Sequence, residues 1–170
     1  LYVVNGMIDH EVLPYLPNDE IVERNAAFRA KADGTFARVH TWGLDALASG
    51  RAMAMADFDG DGRLDVVVNN LRSPSVVYEN RLCARGAQST ELRLRWTGHQ
   101  NVAALGAMVR VRTNRRTLTR AVAGTGGYLT GLDGLVHVGL GTDAVRSVEL
   151  VWPDGAVSSV GGADLRSGVA

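Results

Sequence analysis

The sequence has little of several features that would assign a chain to a particular class of protein. It contains one cysteine, Cys83, so no disulfide bond can form within the chain. Its formal charge is zero, with 18 basic and 18 acidic residues, which gives no electrostatic reason to expect binding to nucleic acid or to an anionic membrane. No apolar run approaches the roughly 20 residues of a membrane-spanning helix. The sequence therefore predicts neither a nucleic-acid partner nor a transmembrane segment.

The sequence does contain an acidic loop with the spacing of a calcium site. Aspartates occupy the first, third, fifth and ninth positions of the loop, as Asp57, Asp59, Asp61 and Asp65. Ca²⁺ takes roughly six to eight oxygen ligands, and aspartates that alternate with small residues turn successive carboxylates toward one point. Gly62 suits the sharp turn after the third carboxylate. The main-chain carbonyl of the next residue, Arg63, would be a further ligand.

Two features distinguish this loop from an EF-hand. Its twelfth position, where an EF-hand has a bidentate glutamate, is Val68. Its flanks are rich in β-branched and small apolar residues, which predicts a strand, a calcium loop and a second strand. The alternative is an acidic, solvated turn without a metal. Four carboxylates within nine residues repel one another unless a cation is present, so we favour the metal site.

Short apolar runs separated by turn residues predict an all-β fold in the first half of the chain. Asp33-Gly34 between two such runs predicts a hairpin. The acidic loop and the segments around it predict a small antiparallel meander, which is marginal by itself because its edges and one face are uncovered. The predicted strands cover residues 1–4, 27–29, 35–39, 50–58, 64–69 and 76–79.

From Glu91 onward, apolar and polar residues alternate as they do in half-buried strands. Val109 and Val111, for example, alternate with Arg110 and Arg112. Six such strands at this spacing predict a β-sandwich or a closed barrel. The predicted strands cover residues 91–96, 109–113, 118–122, 135–138, 147–152 and 157–160, with turns at 124–127, 139–142 and 153–155.

Motifs in both halves carry a family resemblance. Residues 1–9 and 25–36 are similar to a strand and a repeat motif of FG-GAP/VCBS proteins, although Lys31-Ala32 departs from the Asn-Gly of that motif, and 50–70 resembles their calcium-carrying repeat. Residues 137–141 (His-Val-Gly-Leu-Gly) and 151–155 (Val-Trp-Pro-Asp-Gly) match the ASPIC/UnbV pattern. The chain thus resembles the last part of an FG-GAP/VCBS-type β-propeller followed by an ASPIC/UnbV domain, as in the cartilage acidic protein family.

This resemblance implies a partial propeller in residues 1–85 and a β-sandwich-like ASPIC/UnbV domain in residues 86–170. A propeller typically closes with about 4–8 blades, more than residues 1–85 supply. We therefore expect the missing blades in a longer chain, or another protein subunit over the open face. The resemblance also implies that calcium is bound by the side chains of the four aspartates and by the carbonyl of Arg63, in agreement with the spacing.

Together these features predict a non-enzymatic, calcium-binding module that is secreted, periplasmic or on the cell surface. It would mediate protein–protein association or adhesion, and could be an accessory subunit of a larger surface or membrane-associated complex. Millimolar calcium outside the cytosol suits such a loop. The alternative is a calcium-dependent carbohydrate-binding module with Trp42, Tyr128 and Trp152 as its aromatic residues, although core packing is the commoner role of such side chains.

Other features give weaker indications of function. The histidines are scattered, and we interpret His137 as a satisfied core residue and Cys83 as an inert thiol. The glycine-rich segment 124–127 lacks the Lys-Ser/Thr of a phosphate-binding loop. Four arginines at alternate strand positions could face an acidic partner or could only keep a strand surface soluble. They are Arg93, Arg95, Arg110 and Arg112.

Overall fold

The computed structural model of the chain describes residues 1–6, 23–81, 87–127, 130–132 and 134–165. Regular structure within these residues consists of short β-strands and a 3-10 turn at Gly162–Asp164. The all-β prediction is confirmed. No helix in the described part of the chain is long and apolar enough to span a membrane.

The first of two compact units comprises Leu1–Ala56, Asp65–Glu79 and Gly127–Thr130. Its sheets have the strand orders β1-β3-β4, β2-β5 and β6-β7-β8, and the pairs are antiparallel. The strands are β1 (Tyr2–Val3), β2 (Glu23–Arg24), β3 (Ala26–Ala30), β4 (Phe36–Val39), β5 (Leu47–Ala48), β6 (Gly50–Ala56), β7 (Asp65–Asn70) and β8 (Val76–Tyr78).

The predicted hairpin and meander are both present in this unit. In the hairpin, β3 pairs with β4 across the turn at Asp33, whose carboxylate accepts the N–H of Thr35 at 2.9 Å. In the meander, β6, β7 and β8 pair in sequence order, and Val68 in the central strand is only 1% exposed. The strand β6 ends at Ala56, two residues before the predicted end, because Asp57 already belongs to the acidic loop.

The second unit comprises Asp57–Leu64, Asn80–Gly126 and Gly131–Ala170. The C-terminal half of the chain forms a four-stranded sheet, β11-β10-β15-β16, and the two-stranded sheets β14-β9 and β12-β13. The strands are β9 (Gln88–Arg93), β10 (Met108–Thr113), β11 (Thr117–Ala121), β12 (Thr125–Gly127), β13 (Thr130–Gly131), β14 (Leu135–Gly141), β15 (Val145–Val151) and β16 (Val157–Gly161).

The core of the second unit is built from alternate residues of these strands. Val109 and Val111 of β10 are fully buried, and so is Val138 of β14, while the arginines that alternate with the β10 valines are exposed. Half-buried Trp96 and Trp152 pack against this cluster. The alternation predicted from the sequence is therefore confirmed in these strands, because one face of each packs on the core and the other meets water.

Two of the predicted turns are wrong. Residues 124–127 were expected to turn, but Thr125–Gly127 forms β12, which pairs with β13. Likewise β14 continues through Gly141, with a register shift between Gly139 and Gly141, where a turn was expected. Glycine runs favour turns locally, yet pairing with a neighbouring strand satisfies the same backbone groups, and here the pairing prevails.

The acidic loop lies in the second unit, although the strands on either side of it, β6 and β7, lie in the first. The predicted domain division between residues 85 and 86 stays a prediction. The position of the loop shows that sequence order does not by itself decide with which unit a segment packs.

Candidate metal centre

The acidic loop begins where β6 ends, and the carboxylate of its first residue, Asp57, accepts the hydrogen bonds that shape it. The Oδ1 atom of Asp57 accepts the N–H groups of Gly60 at 2.8 Å and Asp61 at 3.0 Å, and its Oδ2 atom accepts the N–H of Gly62 at 2.7 Å. Gly60 and Gly62 have φ values of 76° and 84°, which side-chain-bearing residues rarely adopt. The alternation of aspartate and glycine thus closes the loop around one carboxylate.

The next two aspartates repeat a shorter version of this turn. Asp59 accepts the N–H of Asp61 at 3.2 Å, and Asp61 accepts the N–H of Arg63 at 2.8 Å. A carboxylate that binds the backbone two residues on forms an Asx turn. Two such turns in succession keep the carboxylates on the same side of the loop.

These turns bring three of the predicted ligands together. One carboxylate oxygen from each of Asp57, Asp59 and Asp61 lies within 4.8 Å of the other two, and Asp59 and Asp61 are exposed. Three hard oxygens at this separation are donors of the kind that Ca²⁺ binds, and a cation among them would offset their mutual repulsion. The residues present therefore fit a hard divalent cation.

The remaining predicted ligands are placed differently. Asp65 is the first residue of β7, is only 3% exposed and is not part of the three-oxygen group. Arg63 pairs its guanidinium with the Asp61 carboxylate and donates its Nε–H to the carbonyl of Asn80 at 2.5 Å. The amide of Asn80 donates in turn to the carbonyl of Leu64 at 3.1 Å. The side chain of Arg63 thus joins the loop to Asn80, a role that we did not predict from the sequence.

The environment of Asp57 favours its charged form. Desolvation, the largest single influence, raises the pKa of this carboxyl, but the hydrogen bonds from the N–H groups of Gly62, Asp61 and Gly60 together outweigh it and lower the pKa. Hydrogen bonds to a carboxylate stabilise its ionised state. Asp57 is therefore ionised at neutral pH and available as a cation ligand.

Two residues far along the chain contact the loop at Gly62. The Nε2 atom of His137, on β14, lies 3.0 Å from the carbonyl oxygen of Gly62. A Cβ atom added at Gly62 would meet the Oγ atom of Ser89, on β9, at 2.7 Å. The sequence interpretation missed both contacts. The only feature of the sequence that could have indicated them was His137, a polar residue within an apolar strand, which we interpreted as a core residue.

Two of the three aromatic residues predicted for carbohydrate binding, Trp42 and Trp152, have partners within the fold. Trp152 is half-buried, packs on the core and donates its indole N–H to the hydroxyl of Ser158 at 2.8 Å. Half-buried Trp42 lies under the guanidinium of Arg29 at 5.4 Å. Tyr128 falls outside the described residues. Core packing, the commoner role, is thus the role that Trp152 has.

Two other histidines and two of the predicted surface arginines have partners of their own. His40 lies 3.5 Å from the carboxylate of Asp45, and His99 stacks on Trp96 at 3.8 Å between ring centroids. Arg110 and Arg112 both bind Glu149, at 2.7 and 3.2 Å, so the predicted basic strand surface is partly neutralised. Cys83 and His10 fall outside the described residues.

Comparison with known proteins identifies two sequence families in the chain. A model described as "FG-GAP-like repeat" matches residues 15–68, and one described as "ASPIC and UnbV" matches residues 97–166. Cartilage acidic protein 1 of Xenopus tropicalis is 32% identical over 112 residues, which cover 64% of this chain and 17% of that protein. The proteins of the same name from Mus musculus and Homo sapiens are 32% identical over 120 residues, 68% of this chain and 18% of theirs. The chain thus spans less than a fifth of the length of these relatives.

Proposed function

Because this chain belongs to the family that joins FG-GAP-like repeats to an ASPIC/UnbV domain, we propose that it is a non-enzymatic, calcium-binding module that mediates protein–protein association outside the cytoplasm. The observation that carries the proposal is the meeting of three carboxylate oxygens within 4.8 Å of one another. Asp65 and the carbonyl of Arg63 complete the proposed ligand set. The role of the ion is structural, since it neutralises the acidic loop and adds to the hydrogen bonds that close it.

Calcium binding by this chain is physically consistent with an extracellular or cell-surface location. Calcium modules of extracellular proteins bind with dissociation constants of about 10⁻⁴–10⁻³ M, which millimolar calcium saturates. The FG-GAP-like repeat and the cartilage acidic protein relatives suggest an extracellular or cell-surface location. We propose a secreted, periplasmic or surface location for this chain on the same basis.

Exposed apolar side chains on the β6-β7-β8 sheet support an association role. Val77, which pairs with Val67, is 63% exposed, and Met55, which pairs with Val66, is 49% exposed. The two side chains stand on opposite faces of the sheet, because Val66 and Val67 are successive residues of β7. Both belong to edge strands of this sheet, and the edge strands of a sheet favour pairing with another chain. We propose further propeller blades or another protein subunit as the partner, and an intact mass of the native protein close to 18.1 kDa would exclude the first of these.

Calcium binding is tested on the full chain by isothermal titration calorimetry and by melting in excess calcium and in EDTA. At a free calcium concentration of 100 times Kd, binding adds about 2.7 kcal/mol to the free energy of unfolding, so the melting temperature rises with calcium. Asp57→Asn should abolish most of the binding and of the rise.

The matched control is Asp33→Asn. This aspartate also closes a turn before a glycine, and its carboxylate accepts from Thr35, but it lies outside the acidic loop. The control should keep both the calcium affinity and the calcium-dependent rise in melting temperature. Equal melting temperatures in EDTA and in excess calcium, with no heat of binding, would contradict the proposal.

A further inference from the structure

The peptide group that joins Gly62 to Arg63 is hydrogen-bonded on both of its sides. Its N–H, that of Arg63, donates to the Oδ1 atom of Asp61 at 2.8 Å, and its carbonyl oxygen, that of Gly62, lies 3.0 Å from the Nε2 atom of His137. The imidazole therefore donates through Nε2–H, and the carbonyl accepts. A continuous chain of hydrogen bonds thus runs from β14 to the carboxylate of Asp61, one of the three that meet in the acidic loop.

The strand β14 holds His137 firmly. Val136 and Val138, on either side of it, point into the core and are 5% and 0% exposed. Since successive side chains of a strand point to opposite faces, the imidazole of His137 stands on the other face of β14. Packing of its neighbours therefore positions the backbone of His137, and the hydrogen bond to Gly62 holds the imidazole itself.

Ser89 contacts the loop from the same face. In the β9–β14 register, His137 pairs with Glu91 and Gly139 pairs with Ser89, so Ser89 and His137 stand on one face of the two-stranded sheet. A Cβ atom at Gly62 would lie 2.7 Å from the Ser89 hydroxyl oxygen, and the φ of Gly62 is 84°, a value that side-chain-bearing residues rarely adopt. The loop therefore contacts this face of the β9–β14 sheet at Gly62, a residue without a side chain.

We propose that His137 is a positioning residue for the calcium loop, and that through the Gly62–Arg63 peptide group it couples occupancy of the loop to the order of the β9–β14 sheet. The inference rests on the proposed calcium function. A bound cation fixes the Asp61 carboxylate, this carboxylate fixes the N–H of Arg63, and the carbonyl of the same peptide group, that of Gly62, fixes the imidazole. Outer hydrogen bonds of this kind orient the groups that bind a metal, and their loss typically lowers metal affinity by about 10–100-fold.

Substitutions at His137 test the positioning role by calcium titration calorimetry on the full chain. His137→Phe keeps the ring but removes the donor, and should weaken calcium binding about tenfold. His137→Gln places an amide N–H near the position of Nε2, and should restore affinity to within about threefold of the unsubstituted protein. His99→Phe is the matched control, since His99 is exposed and lies in the same unit, and it should leave the affinity unchanged.

Hydrogen exchange tests the coupling in the unsubstituted protein, and so does not depend on whether a variant folds. Calcium should slow amide exchange in residues 88–93 and 135–141 at least as clearly as in the loop itself. The His137→Phe variant, with calcium raised until the loop is filled, should lose that slowing in the two strands.

The outcomes separate this inference from the proposed function. No calcium binding by the unsubstituted protein overturns both. Normal binding that leaves strand exchange unchanged overturns the coupling alone. Equal affinity of the unsubstituted protein and His137→Phe, or an equal loss in the Phe and Gln variants, overturns the positioning role of the Nε2 donor.

Discussion

At the scale of single residues, the acidic loop depends on carboxylates that act first as hydrogen-bond acceptors. Asp57 accepts three backbone N–H groups, so hydrogen bonds within the loop close it without a cation. A cation then adds charge neutralisation to a geometry that already exists. Such preorganisation improves affinity, because less conformational entropy is lost on binding.

Glu149 shows a second use of a carboxylate, on the surface of the four-stranded sheet. It lies between Arg110 and Arg112, which bind its two oxygens. The hydrogen bonds from Arg110 and then Arg112 lower the pKa of Glu149 below its ordinary value of 4.5, against a smaller opposing effect of desolvation. The contacts therefore stabilise the folded protein only while Glu149 is ionised.

This pKa shift predicts an acid-dependent effect of Glu149→Gln. A carboxyl with a lowered pKa in the folded state contributes stability that is complete above its unfolded pKa and is lost as the pH falls through the folded value. The melting temperature of the variant should thus be slightly lower than that of the unsubstituted protein at pH 7. The difference should vanish below the folded pKa and shrink in high salt. A difference that persisted unchanged in strong acid would contradict the assignment.

At the scale of elements, the hairpin between β15 and β16 shows how one turn fixes a register. Trp152 and Ala156 pair across the turn, and the N–H of Gly155 donates to the carbonyl of Trp152 at 2.9 Å. The Asp154 carboxylate accepts the N–H of Ala156 at 2.9 Å. Gly155 has a φ of 87°, so the turn requires a residue without a Cβ atom.

Gly155→Ala should therefore destabilise the protein by about 1–2 kcal/mol, the cost of a side-chain-bearing residue in left-handed conformation. Urea unfolding followed by tryptophan fluorescence measures the change. Gly131→Ala is the control, since a Cβ atom there meets nothing within 4 Å and its φ is not in the left-handed range. Similar midpoints for both variants would show that the turn is not strained by alanine.

At the scale of the whole molecule, stability in the second unit comes mainly from one valine-rich core. Val109 and Val111 of β10 and Val138 of β14 are each fully buried. This cluster brings together strands that are distant in sequence, and it supports the strand that carries His137. A substitution that destabilises the core should therefore also weaken the contact between His137 and the acidic loop.

Val138→Ala should lower the free energy of unfolding by about 2–3 kcal/mol, from the lost burial of two methyl groups plus the cavity left behind. The matched control is Val157→Ala on β16, where the side chain is 63% exposed and the change should be within about 0.5 kcal/mol. Urea unfolding measures both. A comparable loss in the control would show that burial does not account for the difference.

The sequence by itself determined the features that depend on neighbouring residues. The Asp-Gly alternation of 57–62 fixed the acidic loop, because each carboxylate finds its N–H partners within five positions. The two-residue alternation of Val109 and Val111 with arginines fixed the buried face of β10. Both signals are local, so no knowledge of the remaining chain is needed to read them.

The tertiary structure alone decided what depends on distant residues. Pairing with another strand made 125–127 a strand where glycines favour a turn. The contact between His137 and Gly62 joins residues 75 positions apart, and no sequence period indicates it. Local propensities cannot report such contacts, because they arise only when packing elsewhere in the chain brings the two segments together.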